Sequence, residues 1–463
     1  MRLLADTAAR SLEPVLRQMR LAPTQFFVAG LLAAATAPVD AQEAKGSGTV
    51  VLHAARVIDG TGAAPIANGV VVVTDEKIVA VGKQGAVTIP AGARMIDLGD
   101  ATLLPGFIDA HTHIIGREIS DPEANDSPVR DYDGLPAIIG VANAQKTLLA
   151  GFTTIRNVGA TAFDDMALRT AVSEGFVIGP RMQNAGHAIG ITGGHCDENG
   201  YKPGLMDGDP RIGVADGPDQ IRAAVRYQAK YGADVIKMCA TGGVLSEGDA
   251  VGVQQYTFDE MKALVDEATK LDRKVAAHAH GVEGIKTAVR AGVASIEHGS
   301  FLDDEAAKLM VQHGTYLVPT LSAGEAAERA ANAGILKGLR AQKAHAAATA
   351  MRNGVKIAVR DGVPIALGTD AGVGAHGTNG HEFVLMVDWA GMTPMQSIVA
   401  GTMSGAKLLG WDARIGSLAA GKLADIVAVP GDPLTDIHVM EKPSFVMKNG
   451  YVYKSQTVSP PLP

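Results

Sequence analysis

His111-Thr112-His113 places two imidazoles at positions i and i+2, and in an extended strand such side chains point the same way. Both rings can therefore reach one metal ion. An H-x-H pair alone carries little weight, but His278, His298 and Asp370 each close a later apolar, strand-like run. Imidazole and carboxylate together suit zinc and its neighbours. Lys237, within Val235-Ile236-Lys237-Met238-Cys239, is the odd member, because divalent cations repel an ammonium. Three chemistries are open to it: a Schiff-base nucleophile toward carbonyls, one half of a buried ion pair, or reaction with carbon dioxide to a carbamate, whose two oxygens can bridge two metals. The histidine-rich surroundings favour the carbamate.

Such a set requires a scaffold that gathers strand ends. Apolar runs at Leu103–His113, Thr153–Val158, Arg181–His187, Val235–Cys239, Val275–His280, Ser295–His298, Tyr316–Thr320 and Ile365–Asp370 alternate with Ala-rich helical stretches. That alternation is the pattern of a parallel sheet with crossover helices, and eight such strands predict an α/β fold, a (β/α)8 TIM barrel. Active-site groups of that fold sit at the C-terminal ends of strands, where His111, His113, His187, Lys237, His278, His280, His298 and Asp370 fall. Short β segments flank the barrel on both sides: Val50–Ala55, Gly69–Thr74, Lys77–Val81 and Arg94–Leu98 before it, Asp425–Val429, Ser444–Lys448 and Tyr451–Tyr453 after it. Asn449-Gly450 between the last two is a hairpin signal.

The 463 residues carry 41 Lys+Arg against 49 Asp+Glu, a net charge of −8. With no Lys/Arg run, nucleic acid and anionic membranes are poor partners, since both are held by clustered positive charge. Arg17 and Arg20 precede an apolar run from Phe26 to Ala37, and Val39-Asp40-Ala41 sets small residues at −3 and −1 of a cut before Gln42. This reads as a signal peptide over residues 1–41, with Met19 as its start, and predicts a periplasmic or secreted protein. An N-terminal core helix is the alternative. Cys196 and Cys239 make at most one bridge, and their spacing does not decide whether they pair.

Residues 48 to 455 resemble the amidohydrolase superfamily. The resemblance rests on Pro105-Gly106-Phe107-Ile108-Asp109-Ala110-His111-Thr112-His113, Lys237, His278, Ile296-Glu297-His298-Gly299, Gly368-Thr369-Asp370-Ala371-Gly372 and the segment Ile415 to Val427. It implies a barrel over 105–411 and a small β-sandwich domain built from both chain ends, 48–104 and 412–455. It also implies two divalent metal ions, zinc by preference: His111, His113 and Asp370 on one, His278 and His298 on the other, with carboxylated Lys237 and a hydroxide between them. Asp370 would shuttle the proton to the leaving nitrogen.

Gly190 to His195 and Cys239 to Gly243 are similar to the imidazolonepropionase-like, prolidase-like branch, and within it to ochratoxin-hydrolysing amidohydrolases of bacteria. That likeness implies hydrolysis of N-acyl amino acids or dipeptides with release of the C-terminal residue. It gives His195 a role in polarising the scissile carbonyl and His280 one in holding the substrate carboxylate, and it implies a homo-oligomer such as an octamer. Cyclic-amide hydrolysis or ring deamination uses the same metals, and a non-catalytic binding barrel is the rival from another class. Blander readings suffice for His187 as a core histidine, for His376 and His381 in a solvated Gly-rich loop, for Tyr227 and Tyr231 packing at a helix end, and for Met386, Met392, Met395 and Met403 as core filler.

Overall fold

The computed structural model describes residues 42–456; the expected leader over 1–41, with its start at Met19, lies outside the described residues. The chain opens with β1 (Thr49–Val57), β2 (Ile66–Thr74), β3 (Lys77–Lys83), β4 (Arg94–Asp97) and β5 (Ala101–Pro105). Gly106 then turns it into another sheet through β6 (Phe107–Thr112). The expected single strand Leu103–His113 is therefore two. Gly106 is required at the junction, where its N–H bonds Asp425 O at 2.8 Å and a Cβ would sit 2.1 Å from Thr153 Oγ1.

Two parallel sheets follow. One is β6, β7 (Phe152–Asn157) and β8 (Arg181–Asn184); the other is β9 (Val235–Cys239), β10 (Lys274–Ala279), β11 (Ser295–His298) and β12 (Tyr316–Val318). Their residues are buried almost throughout, as strands covered on both faces must be. The helices between them follow from local chemistry. Over Phe258–Lys270, Thr257 and Glu260 form a reciprocal capping box, and Met261, Leu264, Val265 and Ala268 bury one face.

The expected strand Ile365–Asp370 does not form a regular ladder. Pro364 brings no N–H, Leu367 N bonds Ala400 O rather than a neighbouring strand, and Asp370 has φ 56°. Single bridges link this segment to its surroundings, Leu317 with Ile365 and Thr112 with Ala371, while Ile189 bridges to Met238 beyond β8.

The C-terminal strands β13 (Ile426–Pro430), β14 (Phe445–Lys448) and β15 (Tyr451–Ser455) return to the first sheet, where β13 runs antiparallel to β5. Both chain ends thus share one eight-stranded sheet in the order β15-β14-β13-β5-β1-β2-β3, with β4 on β1. Leu52, Val71, Ile426 and Phe445 pack in its core. The expected hairpin is present: Asn449 (φ 49°) and Gly450 (φ 74°) make the turn between Lys448 and Tyr451. No helix among the described residues is long and apolar enough to cross a membrane.

Candidate metal centre

The end of β6 and the irregular segment after Pro364 are pinned together by Asp109. Its buried carboxylate accepts from His111 N at 3.1 Å, Thr369 N at 3.0 Å, Thr369 Oγ1 at 2.6 Å and Asn379 Nδ2 at 2.8 Å. A Cβ at Gly368 would press within 3.0 Å of His111 N, so only glycine lets the two backbones approach. Asp370 N then donates to His111 O and His113 N to Ala371 O, each at 2.7 Å. His298, Thr320 and Asp370 all take positive φ values of 71°, 50° and 56°. Non-glycine residues in that region cost about 1–3 kcal/mol each and persist only where neighbours fix them.

His111, His113 and Asp370 offer donor atoms within 4.8 Å of one another, and so do His278, His280 and His298. Asp370 Oδ1 lies 3.5 Å from His111 Nε2 and 3.4 Å from His113 Nε2. Lys237 Nζ is 3.4 Å from His111 Nε2. All six residues proposed as ligands thus line one cavity, and His280 joins the second cluster, where its ring stacks on His298 at 4.9 Å.

Burial decides the charge states. It drives His111, His278 and His298 well below the ordinary histidine value, His113 to about 4 and His280 to about 3, with the neighbouring cations adding to the effect. It lowers Lys237 to about 8 and raises the Asp370 carboxyl to about 7. Neutral imidazoles carry the lone pairs that a divalent cation needs. The residues fit such an ion on a further count: His278 Nε2 is buried and has no hydrogen-bond partner among the described residues, an arrangement that is costly unless the lone pair finds another acceptor such as a cation.

Residues behind the cluster orient it. Glu297 Oε2 accepts from His111 Nδ1 at 2.7 Å, and its other oxygen takes bonds from Arg156 Nη2 at 2.8 Å and from Ser295 Oγ. Arg156 also donates to Ala110 O at 2.6 Å. Thr320 Oγ1 is 2.7 Å from His298 Nδ1 and Ser300 Oγ 2.6 Å from His280 Nδ1. Sequence reasoning assigned none of these a role. Arg156 and Glu297, opposite charges inside two apolar strands, were the available signal, since a buried charge needs a partner.

The cavity, of about 330 Å³, is apolar on its far side, where the helices Leu321–Asn332 and Gly338–Asp361 supply Ala323, Ala327, Ala344, Ala347 and Met351 beside Val244 and Leu245. His195 enters from a loop with its ring 4.1 Å from that of His278. The next residue, Cys196, is paired with Cys239 at the end of β9, Cα to Cα 5.9 Å, so the loop is tied covalently to the strand that carries Lys237.

Other sequence candidates stay outside the cavity. His187 is a satisfied core histidine, its ring bonded to Ala162 N and Gln228 Oε1. His376 is buried, not solvated, with Nε2 3.2 Å from His113 O, because the loop folds back under β6. His381 starts a helix and pairs with Glu325 and Glu441. Tyr227 and Tyr231 pack on Phe163.

Residues 102–452 match the model of the amidohydrolase family. The chain belongs to that family. This amidohydrolase is 33% identical to ochratoxinase of Aspergillus niger over 439 residues, 89% of this chain and 88% of that protein. A Xaa-Pro dipeptidase with methionine bound in its active site aligns with a TM-score of 0.84 at 40% identity, covering 88% of this chain and 100% of the other. A prolidase complexed with N-methylphosphonate-L-proline gives 0.79 at 31% identity, covering 88% and 100%. The family fold is a TIM barrel, and the amidohydrolase described here is a hydrolase acting on amide bonds.

Proposed function

We propose that the protein is a binuclear metal hydrolase that cleaves the amide of an N-acyl amino acid or dipeptide and releases the C-terminal residue. The observation that carries the reading is the convergence, in one cavity, of His111, His113 and Asp370 with His278 and His298 around a buried Lys237. His111, His113 and Asp370 would hold one ion, His278 and His298 the other, and Lys237, as its carbamate, would bridge them. When bound, zinc ions in such a site polarise the amide carbonyl and make water nucleophilic at neutral pH. Asp370, whose carboxyl burial raises to about 7, would take the proton of the attacking water and pass it to the leaving nitrogen.

The apolar wall of the cavity supports a bulky apolar acyl group. With ochratoxinase and prolidases among the relatives, ochratoxin A and acyl-proline compounds are the first substrates to try. His195 and His280 line the same cavity and are the candidates to contact the substrate, His280 at its carboxylate. A closed (β/α)8 barrel with a flanking β-sandwich is the architecture proposed, supported by the bridges Leu317 to Ile365, Thr112 to Ala371 and Ile189 to Met238. The Cys196–Cys239 pair supports export to an oxidising compartment.

A panel of N-acyl amino acids and dipeptides, each with a free and an amidated C-terminus and assayed with zinc and bicarbonate, tests the proposal. Amidation removes a charge-assisted hydrogen bond worth ~1.5–3 kcal/mol, roughly ten- to a hundredfold in kcat/KM. Equal rates on the two forms refute release of a C-terminal residue and favour the cyclic-amide or deaminase rival. No turnover of any member favours the binding barrel.

A further inference from the structure

His195 hangs from a chain of polar groups that amide hydrolysis as described above does not use. Lys343, on the helix Gly338–Asp361 and 4% exposed at its side chain, donates to Asp249 Oδ1 at 3.0 Å, to Ser246 O at 2.8 Å and to Asp249 O at 3.1 Å. Burial pushes the Asp249 carboxyl up, but the bonds from Ser246 and Lys343 outweigh it and hold the group below the ordinary carboxylate value. Asp249 is therefore ionised, and an ionised carboxylate only accepts hydrogen bonds. Ser246 Oγ, 2.6 Å from Asp249 Oδ1, must direct its single proton there.

Ser246 Oγ is then left with lone pairs alone. Its 2.9 Å contact with His195 Nδ1 can be satisfied only by Nδ1–H donating. In the neutral ring Nε2 is consequently a bare lone pair; it has no hydrogen-bond partner among the described residues, and the ring lines the cavity. Asp249 also fixes the seat of the ring. Its Oδ2 accepts from Gly243 N at 3.1 Å and Gln255 Nε2 at 3.2 Å, while Gln255 Oε1 accepts from His195 N at 3.1 Å. A Cβ at Gly243 would fall 2.2 Å from the imidazole.

We propose that Asp249, acting through Ser246, is a positioning residue that locks His195 in the tautomer protonated on Nδ1, so that His195 meets the substrate as a hydrogen-bond acceptor at Nε2. A neutral Nε2 lone pair accepts from the substrate's amide N–H or from the attacking water, and it cannot donate to the scissile carbonyl as the family resemblance implied. What Nε2 meets rests on the amide-hydrolysis reading; the tautomer does not.

The test is long-range 1H–15N NMR of the zinc-loaded protein labelled at histidine nitrogens, at mildly alkaline pH, with His195 assigned by its loss in His195→Asn. The wild type is expected to show Nδ1–H with unprotonated Nε2. Ser246→Ala is expected to mix the tautomers and lower kcat roughly 3- to 10-fold, the order of one lost hydrogen bond, while Ser246→Thr restores the wild-type pattern. Asp249→Asn, with folding checked by circular dichroism, is expected to act in the same direction as Ser246→Ala. A wild-type ring carrying a proton on Nε2, neutral or cationic, overturns the proposal, as does a His195 pattern unchanged in Ser246→Ala. Because the spectrum needs no substrate, this outcome is read separately from the fate of the amide-hydrolysis assignment.

Discussion

Glu297 Oε2 lies 2.7 Å from His111 Nδ1, with both side chains at most 1% exposed. The carboxylate fixes His111 with its proton on Nδ1 and its lone pair on Nε2, facing Lys237 and Asp370. Arg156 Nη2 pairs with the other oxygen of Glu297 at 2.8 Å. Glu297→Gln preserves the shape but removes the charge. Zinc affinity is expected to fall about 10- to 100-fold, measured by chelator competition, and stability by about 3 kcal/mol or more because Arg156 is left unbalanced. Unchanged affinity would show that His111 is held by its strand alone.

Lys237 is buried at 3% exposure, and burial lowers it to about 8. The neutral amine is the form that attacks carbon dioxide, and its fraction rises with pH. Carbamate formation in metal-free protein at fixed carbon dioxide is therefore expected to increase through about pH 8, read by 13C NMR with labelled carbon dioxide. Lys237→Ala is expected to lose metal and activity, with partial recovery on adding short carboxylic acids. An adduct trapped on Lys237 by borohydride in the presence of substrate, with activity intact under chelators, would instead make it a Schiff-base enzyme.

Asp370→Asn keeps the shape and one oxygen donor but removes the proton acceptor. The expected loss in kcat is ~10²- to 10⁴-fold, the usual scale of general acid/base assistance, with kcat and metal content measured on the same sample. A variant that retains both metals and more than about a tenth of wild-type kcat, well outside that range, would pass the proton role to another residue, His195 being the next to examine.

The Cys196–Cys239 bridge joins residues 43 apart in the chain. Loops of this size gain about 2–4 kcal/mol from closure, so Cys239→Ser is expected to lower Tm. Reductant should lower the wild-type Tm and leave that of the variant unchanged. Two free thiols titrated in the native protein would refute the pairing. Loss of the bridge should also slow turnover, since the loop it anchors carries His195.

The parts of the site legible in the sequence are those governed by local geometry. Alternation along a strand put His111 and His113 on one side, and the positions of Lys237, His278, His298 and Asp370 at the ends of apolar runs followed from a periodicity that needs only a few residues to express. The turn at Asn449-Gly450 was equally local, set by two residues that accept positive φ.

Tertiary structure decided what depends on partners far away in the chain. Glu297 and His111 are 186 residues apart, and no pattern within either strand says which buried charge meets which imidazole. The division of Leu103–His113 at Gly106 was hidden because both halves are apolar, and it appears only when Asp425 and Thr153 crowd the junction. The irregular backbone at Asp370, the burial of His376, the grouping of His280 with His278 and His298, and the pairing of Cys196 with Cys239 belong with it. Each is fixed by the packing of segments brought together from across the chain, where desolvation and hydrogen bonding select one arrangement among several that local propensity leaves equally open.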